Sequence, residues 1–77
     1  MNDSTVEKYQ VFLSKILNCA TNEVNINITF KNYPKWDSFA HVEVMVALDE
    51  LFSIEFTEEN FVKYGNAAEI SNLFNEQ

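Results

Sequence analysis

Apolar residues recur along this chain at two different spacings, and the change of spacing divides it. Val6, Tyr9, Leu13, Ile16, Leu17 and Ala20 are mostly three or four positions apart, which places them along one side of an α-helix. Ser4 and Glu7 stand at the start of this run in the spacing of a capping box, where each side chain answers a backbone amide at the helix start. Together they predict a helix over about 4–19. A second helix is predicted from Asp37 or Ser38, both good N-cap residues. It carries Phe39, Val42, Met45, Leu48 and Phe52 on one broad face, with Val46 beside them. Thr57-Glu58-Glu59-Asn60-Phe61-Val62 reads as one further turn or two, capped by Thr57 or Glu58 and stopped at Gly65-Asn66. A last helix is expected over about 67–74, where Ile70, Leu73 and Phe74 form a short apolar stripe.

Between the first two helices the period changes to two. Val24, Ile26, Ile28 and Phe30 alternate with polar residues, which is a strand pattern. No other stretch of the chain alternates over so long a run, and a lone strand is not stable. The segment 21–36 is therefore expected to be an extended connection whose alternate side chains reach into the helical core. The alternative is an exposed edge that pairs with another chain. The fold class that follows is all-α: four helices of unequal length, the third very short, with a long loop between the first and second.

Composition narrows the class. With 77 residues the chain is expected to form one domain, 1–77, with one modest core. Seven Phe, three Tyr and one Trp among 47% hydrophobic residues separate it from disordered acidic tails. A single cysteine, Cys19, makes no internal disulfide and suggests a reducing compartment. The N-terminus lacks the basic start and apolar run of a signal peptide, so a soluble, cytoplasmic protein is expected.

The net charge of −7 argues against nucleic acid or an anionic membrane as partner, because neutralising phosphates takes clustered Lys and Arg. The charge is also localised. Asp37, Glu43, Asp49, Glu50, Glu55, Glu58 and Glu59 occur with no Lys among them, whereas residues 1–36 are slightly basic. A one-signed stretch does little for a helix through i,i+4 pairs. It suits a docking surface for basic partners.

Ser38 is the first candidate for chemistry. Asp-Ser at a helix start is commonly only a cap, and as a hydrolytic nucleophile Ser38 has only His41 nearby, with no orienting group or oxyanion site. A helix N-terminus does stabilise a phosphate, through free N–H groups and the positive end of the dipole. Ser38 is thus well placed to carry a covalent phosphodiester. His41 and Asp37 share a helix face, but two ligands make no metal site, and His41 is expected to face solvent or a partner. Cys19 is expected as a small buried hydrophobe.

The run from Trp36 to Glu59 resembles an acyl carrier protein. Asp37-Ser38-Phe39 opens an acidic helix, which leads into Phe52-Ser53-Ile54-Glu55-Phe56 and the acidic turn Thr57-Glu58-Glu59. The resemblance in detail covers about two dozen residues and elsewhere extends only to the helix pattern. It implies a four-helix bundle, and it makes Ser38 the attachment point of a 4′-phosphopantetheine arm, added from coenzyme A by a phosphopantetheinyl transferase. The arm would hold an acyl group as a thioester, and the protein itself would be a monomer without catalysis of its own. Asp37 would help the transferase recognise the site. Phe39, Val42, Glu43, Val46, Asp49 and Glu50 would meet acyl-loading and acyl-transferring enzymes through their basic patches. Leu48, Phe52, Phe56 and Phe61 would line a core able to shelter an acyl chain. Phe39 in place of the usual Leu, Lys35-Trp36 in place of a Gly-containing approach and Ala40-His41 in place of a more polar pair resemble specialised stand-alone carriers. The resemblance also admits a peptidyl or aminoacyl carrier using the same serine. The reading outside the family is an unmodified helical interaction module in which Asp37-Ser38 is only a cap.

Overall fold

The computed structural model describes residues 3–75, with side chains from Lys8 to Asn75. Four α-helices follow one another: α1 (Asp3–Leu17), α2 (Ser38–Phe52), α3 (Glu58–Lys63) and α4 (Ala67–Asn75). No strand ladder forms among the described residues, and the chain is all-α. None of these helices is long and apolar enough to cross a membrane.

α1 packs against α4 and α2. Tyr9, Leu13 and Leu17 are buried, Ile16 is half-buried and Ala20 lies exposed beyond the helix end. The helix stops two residues earlier than the apolar spacing predicts, because Asn18 turns left-handed at φ 56°. The Cys19 amide then donates to the Ser14 carbonyl at 3.1 Å, the bond that closes a helix end of this kind. The expected Ser4–Glu7 capping box falls on residues whose side chains lie outside the described ones.

The connection from α1 to α2 is folded into the molecule. A 3-10 helix, Thr21–Glu23, comes first. Val24 and Ile28 are then buried and Phe30 is half-buried, while Ile26 is exposed. The period-two expectation fails at Ile26, which sits in a turn. Its neighbours reach the core as expected. The backbone edge is met from within the chain: the Phe30 amide donates to the Gly65 carbonyl at 2.8 Å and the Ala67 amide to the Ile28 carbonyl at 3.0 Å. The partner of this segment is the α3–α4 turn, which carries no strand pattern of its own.

The single glycine belongs to that turn. Gly65 does not take a positive φ. A Cβ there would come 3.3 Å from the Val62 carbonyl oxygen and 3.6 Å from Phe30 Cβ, so close approach, not left-handed geometry, favours glycine. α3 is capped by Thr57, whose hydroxyl accepts the Asn60 amide at 3.1 Å. Asn66 starts α4 by accepting the Glu69 amide at 2.8 Å. Ala67 and Ile70 enter the core, and Phe74 meets both Phe12 and Phe52, with centroids 5.6 and 5.1 Å away.

The expected broad apolar face of α2 is in fact two faces. Val44, Met45 and Leu48 are fully buried, while Phe39, Val42 and Val46 point outward. Only the first set holds the molecule together.

Candidate functional site

Asp37 is extended, at φ −90° and ψ −178°. Its side-chain oxygen accepts the Ala40 amide at 2.9 Å, and its carbonyl accepts the His41 amide at 2.9 Å. Asp37 is therefore the N-cap and Ser38 the first residue of α2. The amides of Ser38 and Phe39 precede the first intrahelical bond, so they face the space in front of the helix. Ser38 is exposed there, in the positive field of the helix N-terminus.

Phe39 continues this surface with 75% of its area exposed. Val42 and Val46 follow along the same side, and Glu43, Asp49 and Glu50 are exposed with them. At about 100° per residue these six positions share roughly a third of the helix circumference. α2 thus presents Ser38 at its start and an apolar stripe with acidic borders behind it.

The space behind Ser38 is closed by a buried cluster. Trp36, two residues before Ser38, is 1% exposed and His41, three residues after it, is 0% exposed. This corrects the expectation that His41 faces solvent or a partner. The i, i+4, i+7 spacing of His41, Met45 and Leu48 places it on the core side of the helix, a signal present in the sequence and outweighed there by its polarity. Burial is possible because both ring nitrogens are engaged. The Trp36 indole Nε1–H donates to His41 Nδ1 at 3.1 Å, and His41 Nε2 lies 2.6 Å from the Phe61 carbonyl oxygen. Indole can only donate, so Nδ1 is the acceptor and the ring proton sits on Nε2, donating to Phe61. Burial holds the imidazole below its ordinary pKa, partly opposed by the bond to Phe61. The Phe30 and Phe61 rings flank it, with centroids 4.9 and 4.4 Å away. With its two nitrogens occupied inside the core, His41 has none to offer Ser38 as a base.

Of the four residues associated with chain shelter, Leu48 lies in the core, Phe52 and Phe61 pack against it, and Phe56 is the most exposed. Leu48 is fully buried, and Phe52 packs edge-on against Phe74. Phe61 belongs to the His41 cluster and lines a cleft of about 360 Å³ beside Phe30 and Val62. Phe56 stacks on Phe61 but remains 46% exposed, at the rim and not in the core. A wider open groove of about 640 Å³ lies elsewhere, where Phe12 and Ile16 of α1 face Ala47 and Leu51 of α2.

Among the described residues no three His, Cys, Asp or Glu side chains gather as a metal site. Cys19 is half-buried and packs against the core. No protein-family model matches the chain.

Proposed function

We propose that this protein is a phosphopantetheine-dependent carrier of the acyl carrier type, with Ser38 as the attachment residue. The observation that carries this reading is the position of Ser38: exposed, first in α2, beside a capping aspartate, at the head of an exposed apolar and acidic stripe. The residues present suit a phosphodiester. Ser38 is exposed, and the early amides and helix dipole of α2 favour negative charge. The 4′-phosphopantetheine arm supplies a terminal thiol that holds the cargo.

The rest falls to the chain's own side chains. Asp37 fixes the turn that presents Ser38 and offers a carboxylate for a phosphopantetheinyl transferase to read. Phe39, Val42 and Val46 offer apolar contact, and Glu43, Asp49 and Glu50 attract enzymes with basic docking patches. Tethering raises the effective concentration of cargo at each enzyme in turn. No catalytic role falls to Ser38, because His41 is held in the core by Trp36 and Phe61. Acyl groups are the cargo in this reading.

Incubation with coenzyme A and a promiscuous phosphopantetheinyl transferase, followed by intact mass, tests it. One added phosphopantetheine that disappears in Ser38→Ala is expected. An unmodified protein would leave only the interaction-module reading.

A further inference from the structure

We infer that His41 is a positioning residue for Ser38: as a neutral Nε2–H tautomer it clasps Trp36 to Phe61 and so fixes the backbone that presents the serine. The inference rests on the reading of Ser38 as an attachment site.

The clasp joins three parts of the chain. Trp36 ends the long connection, His41 lies in the first turn of α2, and Phe61 lies in α3. Ser38 sits between the first two. Its approach is otherwise held by a bond from the Trp36 amide to the Tyr33 carbonyl at 2.9 Å and by the Asp37 cap. The Lys35–Glu23 pair, 3.6 Å apart and half-exposed, adds little. Trp36 is thereby the buried anchor of the segment, and its one polar atom depends on His41. Removing the Nδ1 acceptor leaves a buried indole N–H without a partner. Anchor and approach then loosen together, and the serine must be ordered anew in each encounter with an enzyme.

Protonating the ring has the same effect, since an N–H on Nδ1 would face the Trp36 N–H. No ionisable side chain bonds to the ring to offset this. On the packed elements, Asp37 at the cap of α2, Glu43 on α2, Lys31 and Lys35 in the connection, and Glu58, Glu59 and Lys63 on α3 are all exposed, while Tyr64 after α3 is buried. Asp37 is turned to the Ala40 amide.

Three full-length variants separate the possibilities. His41→Gln supplies an amide oxygen and an amide N–H without titrating, His41→Leu supplies neither, and Trp36→Phe removes the donor. Amide hydrogen exchange and transferase modification rate are followed from about pH 5 to pH 8, the span in which histidine titrates. His41→Leu and Trp36→Phe are expected to lose exchange protection at residues 36–39 selectively, and to be modified several-fold more slowly than the parent. The parent should lose both protection and rate toward acid, with Trp36 fluorescence changing in step, while His41→Gln stays flat. Parent and His41→Gln profiles that coincide, or parent-like protection at 36–39 in folded His41→Leu, would overturn the inference. A protein that keeps the exchange pattern but is never modified would instead overturn the reading of Ser38.

Discussion

The Asp37 carboxylate accepts the Ala40 amide at 2.9 Å, so the residue before Ser38 caps the helix that Ser38 begins. In the proposed carrier, Asp37 would serve both recognition and stability, and the two can be separated. Asp37→Ala should cost about 1 kcal/mol, read from the urea midpoint. Asp37→Asn keeps a capping oxygen and should cost only a few tenths. If the transferase reads the carboxylate, Asp37→Asn will be modified more slowly despite near-parent stability.

His41 makes stability depend on pH. Its pKa is lowered in the folded protein by burial, so the unfolded chain binds the proton more readily. Stability from this group is fully present above the ordinary value of 6.5. It is lost as pH falls from there through the lowered folded value. Urea midpoints should decline on that side for the parent, and the decline attributable to this group should vanish in His41→Gln. His41→Leu leaves the Trp36 N–H and the Phe61 carbonyl unpaired and should cost about 1–3 kcal/mol at neutral pH.

Ser53 ends α2 in the left-handed region, at φ 56° and ψ 37°. A side chain in this conformation carries strain that glycine avoids. Ser53→Gly should therefore raise stability by roughly 0.5–1 kcal/mol, after glycine's larger entropy in the unfolded chain is subtracted. In a domain of this size the melting temperature should rise by about 2–8 °C. A lower melting temperature would show that the serine is not strained there.

Glu43 and Glu50 are exposed on the side of α2 that bears Val46. Reversing both to Lys should leave stability within about 0.5 kcal/mol for each site. The rate of modification by a transferase with a basic docking patch should fall, most strongly at low salt. An unchanged rate at low ionic strength would remove this surface from docking.

Much of the helix pattern was legible from local signals. Asp37 and Thr57 are capping side chains followed by apolar spacing, and α2 and α3 begin after them; Asn66, legible only as the stop of α3, also caps α4. The end of α1 was less legible, because Asn18 stops the helix while Cys19 and Ala20 continue its apolar spacing. The alternation at 24–30 suggested a strand whose partner no pattern revealed, since the backbone groups that meet it lie in the α3–α4 turn. At the candidate site, the helix start at Asp37 or Ser38 could be read directly, but which of the two is the cap is settled only by the Asp37–Ala40 bond. The division of α2 into inward and outward apolar faces could not be read from its hydrophobicity, because Phe39 and Met45 are equally apolar. His41 was misplaced for the opposite reason: a polar ring is buried here only because Trp36 and Phe61 satisfy it, and Phe61 is twenty residues away.

Localisation of the transferase product decides whether Ser38 carries the arm. After incubation with coenzyme A, tandem mass spectrometry of the digested protein should find one phosphopantetheine, on the peptide containing Ser38, and none in Ser38→Ala. An adduct on another residue, or none on a folded parent protein that a working transferase has met, would exclude Ser38 as the attachment residue.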